Sequence, residues 1–391
     1  MDSDLIRVAV LGSTGSVGQQ ALDVVRALPD RFCVTAIGAG SNVGLLRRQV
    51  QEFRPAATWA RPGVDADALA RELGDAAWQP LDVMAARDDV DLVVVATSGL
   101  AGMAPTLAAL AAGKPVAIAN KEVLVVGGHA VRTLLEEHRA RGADLRPVDS
   151  EHSAIWQCLW GEAPASIDRL TLTASGGSFR DHDLAALEHV TPSEALNHPT
   201  WQMGAKITVD SATLFNKGLE AIEARWLFDI PLDRIDVLQH RESVVHSMVT
   251  FIDGSVKAQL GEPDMRLPIQ VAIGYPDRLP ARPAPELDLA KRGSLTFSAV
   301  DERRFPALVA VLEAGRRNDT SAAALSGADE SAVAHFLAGR CRFTDIARLL
   351  ERALDRHTPT ARPELEHLLE AERWGRRFVD EAVTAGTVGV A

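Results

Sequence analysis

The chain has 391 residues, 47% hydrophobic and 24% charged, enough for two or three domains with buried cores. Its net charge of −12 excludes an indiscriminate binder of nucleic acid or anionic membrane, so neither partner is expected. Any anionic ligand then needs a local nest of cations and backbone N–H groups.

The N-terminus, "MDSDLIRVAVLG", enters a strand at once and is read as no signal peptide. No apolar run reaches the roughly 20 residues of a membrane span. Up to Asp149, apolar runs alternate with helical patterns. "IRVAVLG" (Ile6–Gly12), "CVTAIGAG" (Cys33–Gly40), "DLVVVATSG" (Asp91–Gly99) and "PVAIAN" (Pro115–Asn120) read as buried strands. Gly18–Leu28, Val43–Phe53 and Pro105–Ala112 read as helices between them. Such alternation predicts an α/β fold, a Rossmann-like doubly wound parallel sheet, over residues 1–149. Residues 150–285 mix strand patterns ("IDRLTLTAS", "DVLQHRESVVHSMVTFIDGSVKAQL") with helices and read as an α+β catalytic and dimerisation domain. The Pro-rich "YPDRLPARPAPELDL" opens a linker, placed at 286–311. Residues 312–391 read as a helical bundle. Cys33, Cys158 and Cys341 are far apart and odd in number. They predict no disulfide framework or zinc cluster, and a reducing cytoplasmic setting.

"VAVLGSTGSVGQQALDVV" sets Gly12, Gly15 and Gly18 between a strand and a helix. Glycines there let a pyrophosphate approach the helix N-terminus, although a plain tight turn has the same composition. The second strand is followed by Gly40, Ser41 and Asn42, with no carboxylate for a ribose 2′-hydroxyl. Arg47 and Arg48 follow. Small polar groups with nearby cations favour NADP(H) over NAD(H); the alternative is that the arginines solvate a helix face. Asn120, Lys121 and Glu122 end another buried strand, where open α/β sheets bind ligands.

The next such edge reads "LRPVDSEHSAIW". Asp149 and Glu151 repel each other unless something compensates them. If the strand persists they share a face, as two oxygen ligands of Mg²⁺ or Mn²⁺ would. Otherwise Asp149 or Ser150 caps the helix that follows. Downstream, "TASGGSF" offers an anion nest at Ser175–Ser178, and "HPTWQMG" (His198–Gly204) has the content of a mobile lid. Ser211, Asn216 and Lys217 are phosphate donors by type. On a helix, Glu220 shares a face with Asn216 and Lys217 and adds a third carboxylate.

The stretches "GSTGSVG", "ANKE", "PVDSEHSAIWQ", "TASGGSF", "NHPTWQMGAKITVDSATLFNKGLE" and "RFTDIA" run from Gly12 to about Ala347. In this order they resemble the 1-deoxy-D-xylulose 5-phosphate reductoisomerase family of the non-mevalonate isoprenoid pathway. The resemblance implies that Thr14, Gly15, Ser16 and Val17 hold the NADPH pyrophosphate. Gly40, Ser41, Asn42, Asn120, Glu122, Met203 and Gly204 would also meet the cofactor. Asp149, Glu151 and Glu220 would bind the metal (Mg²⁺ or Mn²⁺, with Co²⁺ admitted) and, with Lys121, form the catalytic set. Lys121, Ser150, Glu151, Asn216 and Glu220 would meet substrate oxygens near the metal. Ser175, His198, Ser211, Asn216 and Lys217 would surround the substrate phosphate, and Trp201 and Met203 would close over the substrate and nicotinamide. The family implies a homodimer. Three departures stand out: Ser41 where many relatives carry Lys, Ser178 in place of a frequent Pro, and Leu325–Ser331 in place of an Asn-rich form.

The implied reaction is rearrangement of a phosphorylated sugar followed by hydride reduction from NADPH. Two rivals are another metal-assisted NADP dehydrogenase of a small phosphorylated or carboxylated substrate, and a non-enzymatic NADPH-binding redox sensor. The phosphate-type donors argue against the first. The three carboxylates and the Trp-containing segment argue against the second.

Overall fold

The apolar runs of the N-terminal third form one parallel sheet. In the computed structural model, which describes residues 5–74, 77–201, 203–282 and 284–386, the chain divides into two units. The first comprises Met1–Val123, Gly128–Trp156 and Asp264–Glu286. Its strands are β1 (Ile6–Leu11), β2 (Phe32–Ala39), β3 (Ala57–Ala60), β4 (Leu92–Val95), β5 (Pro115–Ile118) and β6 (Asp144–Pro147). They lie in the order β3-β2-β1-β4-β5-β6, all parallel. The order reverses between β1 and β4, which opens a crevice at their carboxyl ends.

The central strands are mostly apolar because helices cover both faces of such a sheet. Helix Ser16–Ala27 buries Gly18, Ala21, Leu22, Val24 and Val25, a stripe of helical spacing. Helix Arg266–Gly274 packs against it, placing Ile269, Ala272 and Ile273 in the same core. The two strands not read from sequence are the sheet's edges, β3 and β6. Each is four residues long, and β6 is the polar "DLRP". Its Arg146 is held by Asp144 at 2.8 Å and by the Ala272 carbonyl at 3.1 Å.

The second unit comprises Leu124–Gly127, Gln157–Pro263 and Leu287–Ala391. Its strands are β7 (Ile167–Ala174), β8 (Ile235–Gln239), β9 (Val245–Phe251), β10 (Val256–Leu260) and β11 (Ser298–Ala299). They form a mixed sheet in the order β10-β9-β7-β8-β11. The long pattern Asp236–Leu260 is thus three strands, with Gly254 (φ 83°) in the last turn. Four helices follow: Pro306–Arg317, Ser321–Leu337, Phe343–Arg356 and Leu365–Thr384. The second and fourth approach closely. A Cβ on Gly327 would lie 1.9 Å from the Glu372 carbonyl oxygen, so only glycine fits in the departing Leu325–Ser331 stretch.

Candidate active site

The first set of groups lies at the carboxyl ends of β1, β2 and β4. Gly12 turns the chain out of β1 at φ 95°, and a Cβ there would lie 2.3 Å from the Ala96 carbonyl oxygen after β4. Gly15 then caps helix Ser16–Ala27 with no side-chain hydrogen bond, and Gly15 and Ser16 are exposed. This leaves the first helical N–H groups open to an anion, with Thr14 and Val17 flanking them. Gln49 locks the turn from below. It accepts from Ser13 Oγ at 2.7 Å and donates to the Ser13 carbonyl at 2.9 Å, both residues being buried. Gln49 carries no sequence signal beyond its place in a helical stripe. After β2, Gly40, Ser41 and Asn42 form a short connection, and Asn42 Oδ1 caps the next helix by accepting from Leu45 N–H at 3.1 Å. Asn120 is buried and structural in its side chain. It caps helix Lys121–His138 through Val123 N–H and donates to the carbonyls of Thr97 (2.9 Å) and Gly99 (2.7 Å). Glu122 is half-buried in the first turn of that helix.

The second set lies past β6 in the same unit. The strand ends at Pro147, and Asp149 and Glu151 are not alternate residues of a persisting strand. Helix Ser150–Cys158 starts at once, because the Asp149 carbonyl already accepts from Ser153 N–H at 2.8 Å. Asp149 therefore stands in the capping position and Glu151 in the first turn, where the positive helix end favours carboxylates. Each brings a carboxylate oxygen within 4.8 Å of the other. Two groups offset the crowding: Lys121 Nζ lies 2.6 Å from Asp149 Oδ2, and Ser150 Oγ donates to Glu151 Oε2 at 2.5 Å. His152 is fully buried, with Nδ1 3.8 Å from Asp149 Oδ2.

The third set belongs to the second unit. Ser175 follows β7, ahead of Gly176 (φ 88°) and Gly177 (φ 70°). Ser178 donates to the Ala195 carbonyl at 2.7 Å, a hydroxyl tie that a proline there would lack. His198 Nδ1 accepts from the backbone N–H of Thr200 (3.1 Å) and Trp201 (2.9 Å), which leaves its proton on Nε2. Nε2 then faces Ser175 Oγ at 3.1 Å and Ser211 Oγ at 3.2 Å. Burial, with the nearby Arg180 charge, pushes the His198 imidazole down to about 4. The cradle thus presents a neutral N–H and two hydroxyls. Trp201 is half-buried, its ring 6.3 Å from that of His246. Met203 is half-buried and Gly204 exposed; Gln202, within the expected lid, lies outside the described residues.

Helix Ala205–Thr213 carries Ser211 and helix Phe215–Phe228 carries the other donors. Between them Leu214 takes φ 55°, a left-handed turn that no sequence pattern announces. Glu220 is buried and accepts from Asn216 Nδ2 and Lys217 Nζ, both at 2.5 Å. Lys217 was expected among the phosphate groups; here it holds the Glu220 carboxylate. Glu223, one turn on and fully buried, was not singled out in the sequence, where an acid at that spacing looks like a surface residue. Lys206 lies between two buried carboxylates, paired with Asp210 and 2.8 Å from Asp329 Oδ2. One residue of the departing Leu325–Ser331 stretch, Asp329, thus meets Lys206 on the helix that carries Ser211. Two of the thiols are held in the protonated form: burial pushes Cys158 up to about 11 and Cys341 to about 12.

Comparison with known proteins agrees with this geometry. A family model for 1-deoxy-D-xylulose 5-phosphate reductoisomerase matches residues 8–128, and models for that enzyme's C-terminal domains match 145–228 and 260–378. The 1-deoxy-D-xylulose 5-phosphate reductoisomerase of Shouchella clausii is 50% identical, over 93% of this chain and 96% of its own. That of Pelotomaculum thermopropionicum is 48% identical, over 95% and 97%. A DOX-P reductoisomerase crystallised with NADPH, fosmidomycin and magnesium superimposes with a TM-score of 0.91 at 37% identity, covering 98% of this chain and 99% of that one. The Zymomonas mobilis enzyme in complex with NADPH gives 0.88 at 38%, covering 97% and 99%. The chain belongs to the 1-deoxy-D-xylulose 5-phosphate reductoisomerase family.

Proposed function

We propose that the three sets of residues carry the family's reaction, the NADPH- and metal-dependent conversion of 1-deoxy-D-xylulose 5-phosphate to 2-C-methyl-D-erythritol 4-phosphate. The observation that carries this reading is the Ser175–His198–Ser211 cradle. It gathers three hydrogen-bond donors at one spot, an arrangement that suits the several oxygens of a phosphate. The residues fit both implied groups. Asp149, Glu151 and Glu220 are hard oxygen donors of the kind Mg²⁺ and Mn²⁺ take, and the first two already crowd one spot. The exposed helix N-terminus at Gly15, which no side chain caps, suits a pyrophosphate.

When bound, the cation supplies Lewis acidity and a template for the substrate's oxygens, and NADPH supplies hydride. The chain's own groups do the rest. Lys121, beside Asp149, keeps the carboxylate pair from accumulating uncompensated charge and offers N–H donors to a substrate oxygen. Asn216 and Lys217 fix the Glu220 carboxylate in one orientation. His198 binds phosphate through Nε2–H while its Nδ1 organises the Thr200 and Trp201 backbone, so phosphate binding and the placement of Trp201 are coupled at one ring. NADPH oxidation assayed with 1-deoxy-D-xylulose 5-phosphate tests the reading. Turnover that needs added Mg²⁺ or Mn²⁺ is expected, and no turnover with either metal overturns it.

The proposal includes a homodimer. Among the described residues β10 is one of the two edges of its sheet, with Ile252 (72%) and Val256 (55%) exposed there. Sedimentation should give twice the chain mass at micromolar concentration; a monomer refutes this. A cytoplasmic setting is proposed on the three free thiols. No described helix is long and apolar enough to cross a membrane.

A further inference from the structure

We propose that Arg61 supplies the cation that recognises the 2′-phosphate of NADPH in this chain. The inference rests on the cofactor reading above and names a residue that neither the motifs nor the resemblance pointed to. No carboxylate follows β2, so nothing there binds a ribose 2′-hydroxyl or repels a 2′-phosphate. The turn itself offers no cation: it is Gly40, Ser41 and Asn42, and Asn42 Oδ1 is spent on its helix cap.

Arg61 is brought to this turn by the sheet. β3 runs parallel to β2 with Ala60 opposite Ala39, and Arg61 is the next residue. Its backbone N–H is shared by the Ala39 and Gly40 carbonyls, at 3.2 Å each. Pro62 follows and restricts Arg61 to extended backbone, so only the side chain is left to order on binding. The side chain is exposed and has no hydrogen-bond or ion-pair partner among the described residues. A Cβ on Gly40 would meet nothing within 4 Å, so the space above the turn is open.

The two arginines favoured by sequence are worse placed. Arg47 is committed to Glu72. Arg48 lies six residues past the Asn42 cap, about 9 Å along the helix axis. A guanidinium matches a phosphate bidentately, which makes Arg61 a selective group as well as a charged one.

Direct titration of the purified full chain with NADPH, NADH, adenosine 2′,5′-bisphosphate and 5′-AMP tests the assignment, using Arg61→Ala, Arg61→Lys and Arg48→Ala. Arg61→Ala should weaken NADPH and the bisphosphate by about ten- to a hundredfold and leave NADH and 5′-AMP unchanged. Arg61→Lys should recover part of the loss, and Arg48→Ala should change none of the four. The wild-type preference for NADPH should shrink as ionic strength rises. Wild-type NADPH affinity in Arg61→Ala, or transfer of the loss to Arg48→Ala, overturns the assignment. A wild-type chain that binds NADPH no better than NADH overturns the cofactor reading beneath it.

Discussion

Lys121 Nζ lies 2.6 Å from Asp149 Oδ2, and the two side chains are only 8% and 15% exposed. The first residue of one helix thus neutralises the residue that caps another. Removing one partner of a buried pair leaves the other charge uncompensated, at about 3–5 kcal/mol. Lys121→Met should lose stability of that order in metal-free denaturation, and Lys121→Met/Asp149→Asn should lose less than the sum of the single changes. Mg²⁺ should restore part of the single variant's loss by binding the folded state. A loss below 1 kcal/mol would make the pair an ordinary surface contact.

His198 should be neutral throughout the working pH range. Its imidazole titrates at about 4 when folded, against about 6.5 when unfolded. Between those values the unfolded chain binds a proton that the folded chain does not. The stability tied to this group is therefore whole above pH 6.5 and is lost as pH falls toward 4. His198→Asn should flatten that part of the stability–pH curve. It keeps an acceptor for the Trp201 backbone but loses Nε2–H, so KM should rise about ten- to a hundredfold. An unchanged KM would remove His198 from the phosphate site.

Glu220→Gln should lower metal-dependent turnover by about 10²-fold or more, because one charged ligand of the proposed cation becomes an amide and the substrate oxygens shift. NADPH affinity, measured by titration, should be unchanged. Wild-type turnover at wild-type metal concentration would take Glu220 out of the metal site.

Lys206 and Asp329 separate charge from shape. Burial raises the Asp329 carboxyl above its usual range, toward the neutral form, although Lys206 opposes this. Asp329→Asn should therefore cost little stability. Lys206→Met leaves Asp210 and Asp329 facing each other and should cost about 3–5 kcal/mol. If the two substitutions cost the same on chemical denaturation, Asp329 is held as a charged partner instead.

Much of the first unit was legible because burial on both faces writes itself into sequence. β1, β2, β4 and β5 appear as near-continuous apolar runs, and helix Val43–Phe53 has the bounds its stripe predicted. Edge strands carry no such mark. β6 is "DLRP", and only its pairing with β5 makes it a strand. The residue types at the site were legible for a related reason: a glycine turn, crowded carboxylates and clustered hydroxyls are costly without a ligand or a partner, so their presence asks for one.

Partnership was decided by tertiary structure. Sequence spacing put Asn216, Lys217 and Glu220 on one face, but not Lys217 on the Glu220 carboxylate. It placed Asp149 and Glu151 together but left a persisting strand and a helix cap both open, and the cap holds: the helix begins as soon as Asp149 accepts its first helical hydrogen bond. Arg61 carries no signal in the sequence, and Gln49 none beyond its place in a helical stripe, since each lies beside a turn far away in the chain that only the sheet and its packing bring near. Periodicity records which face of an element is buried. Which group a buried or exposed side chain meets depends on register and long-range contact, and these are set when the elements pack.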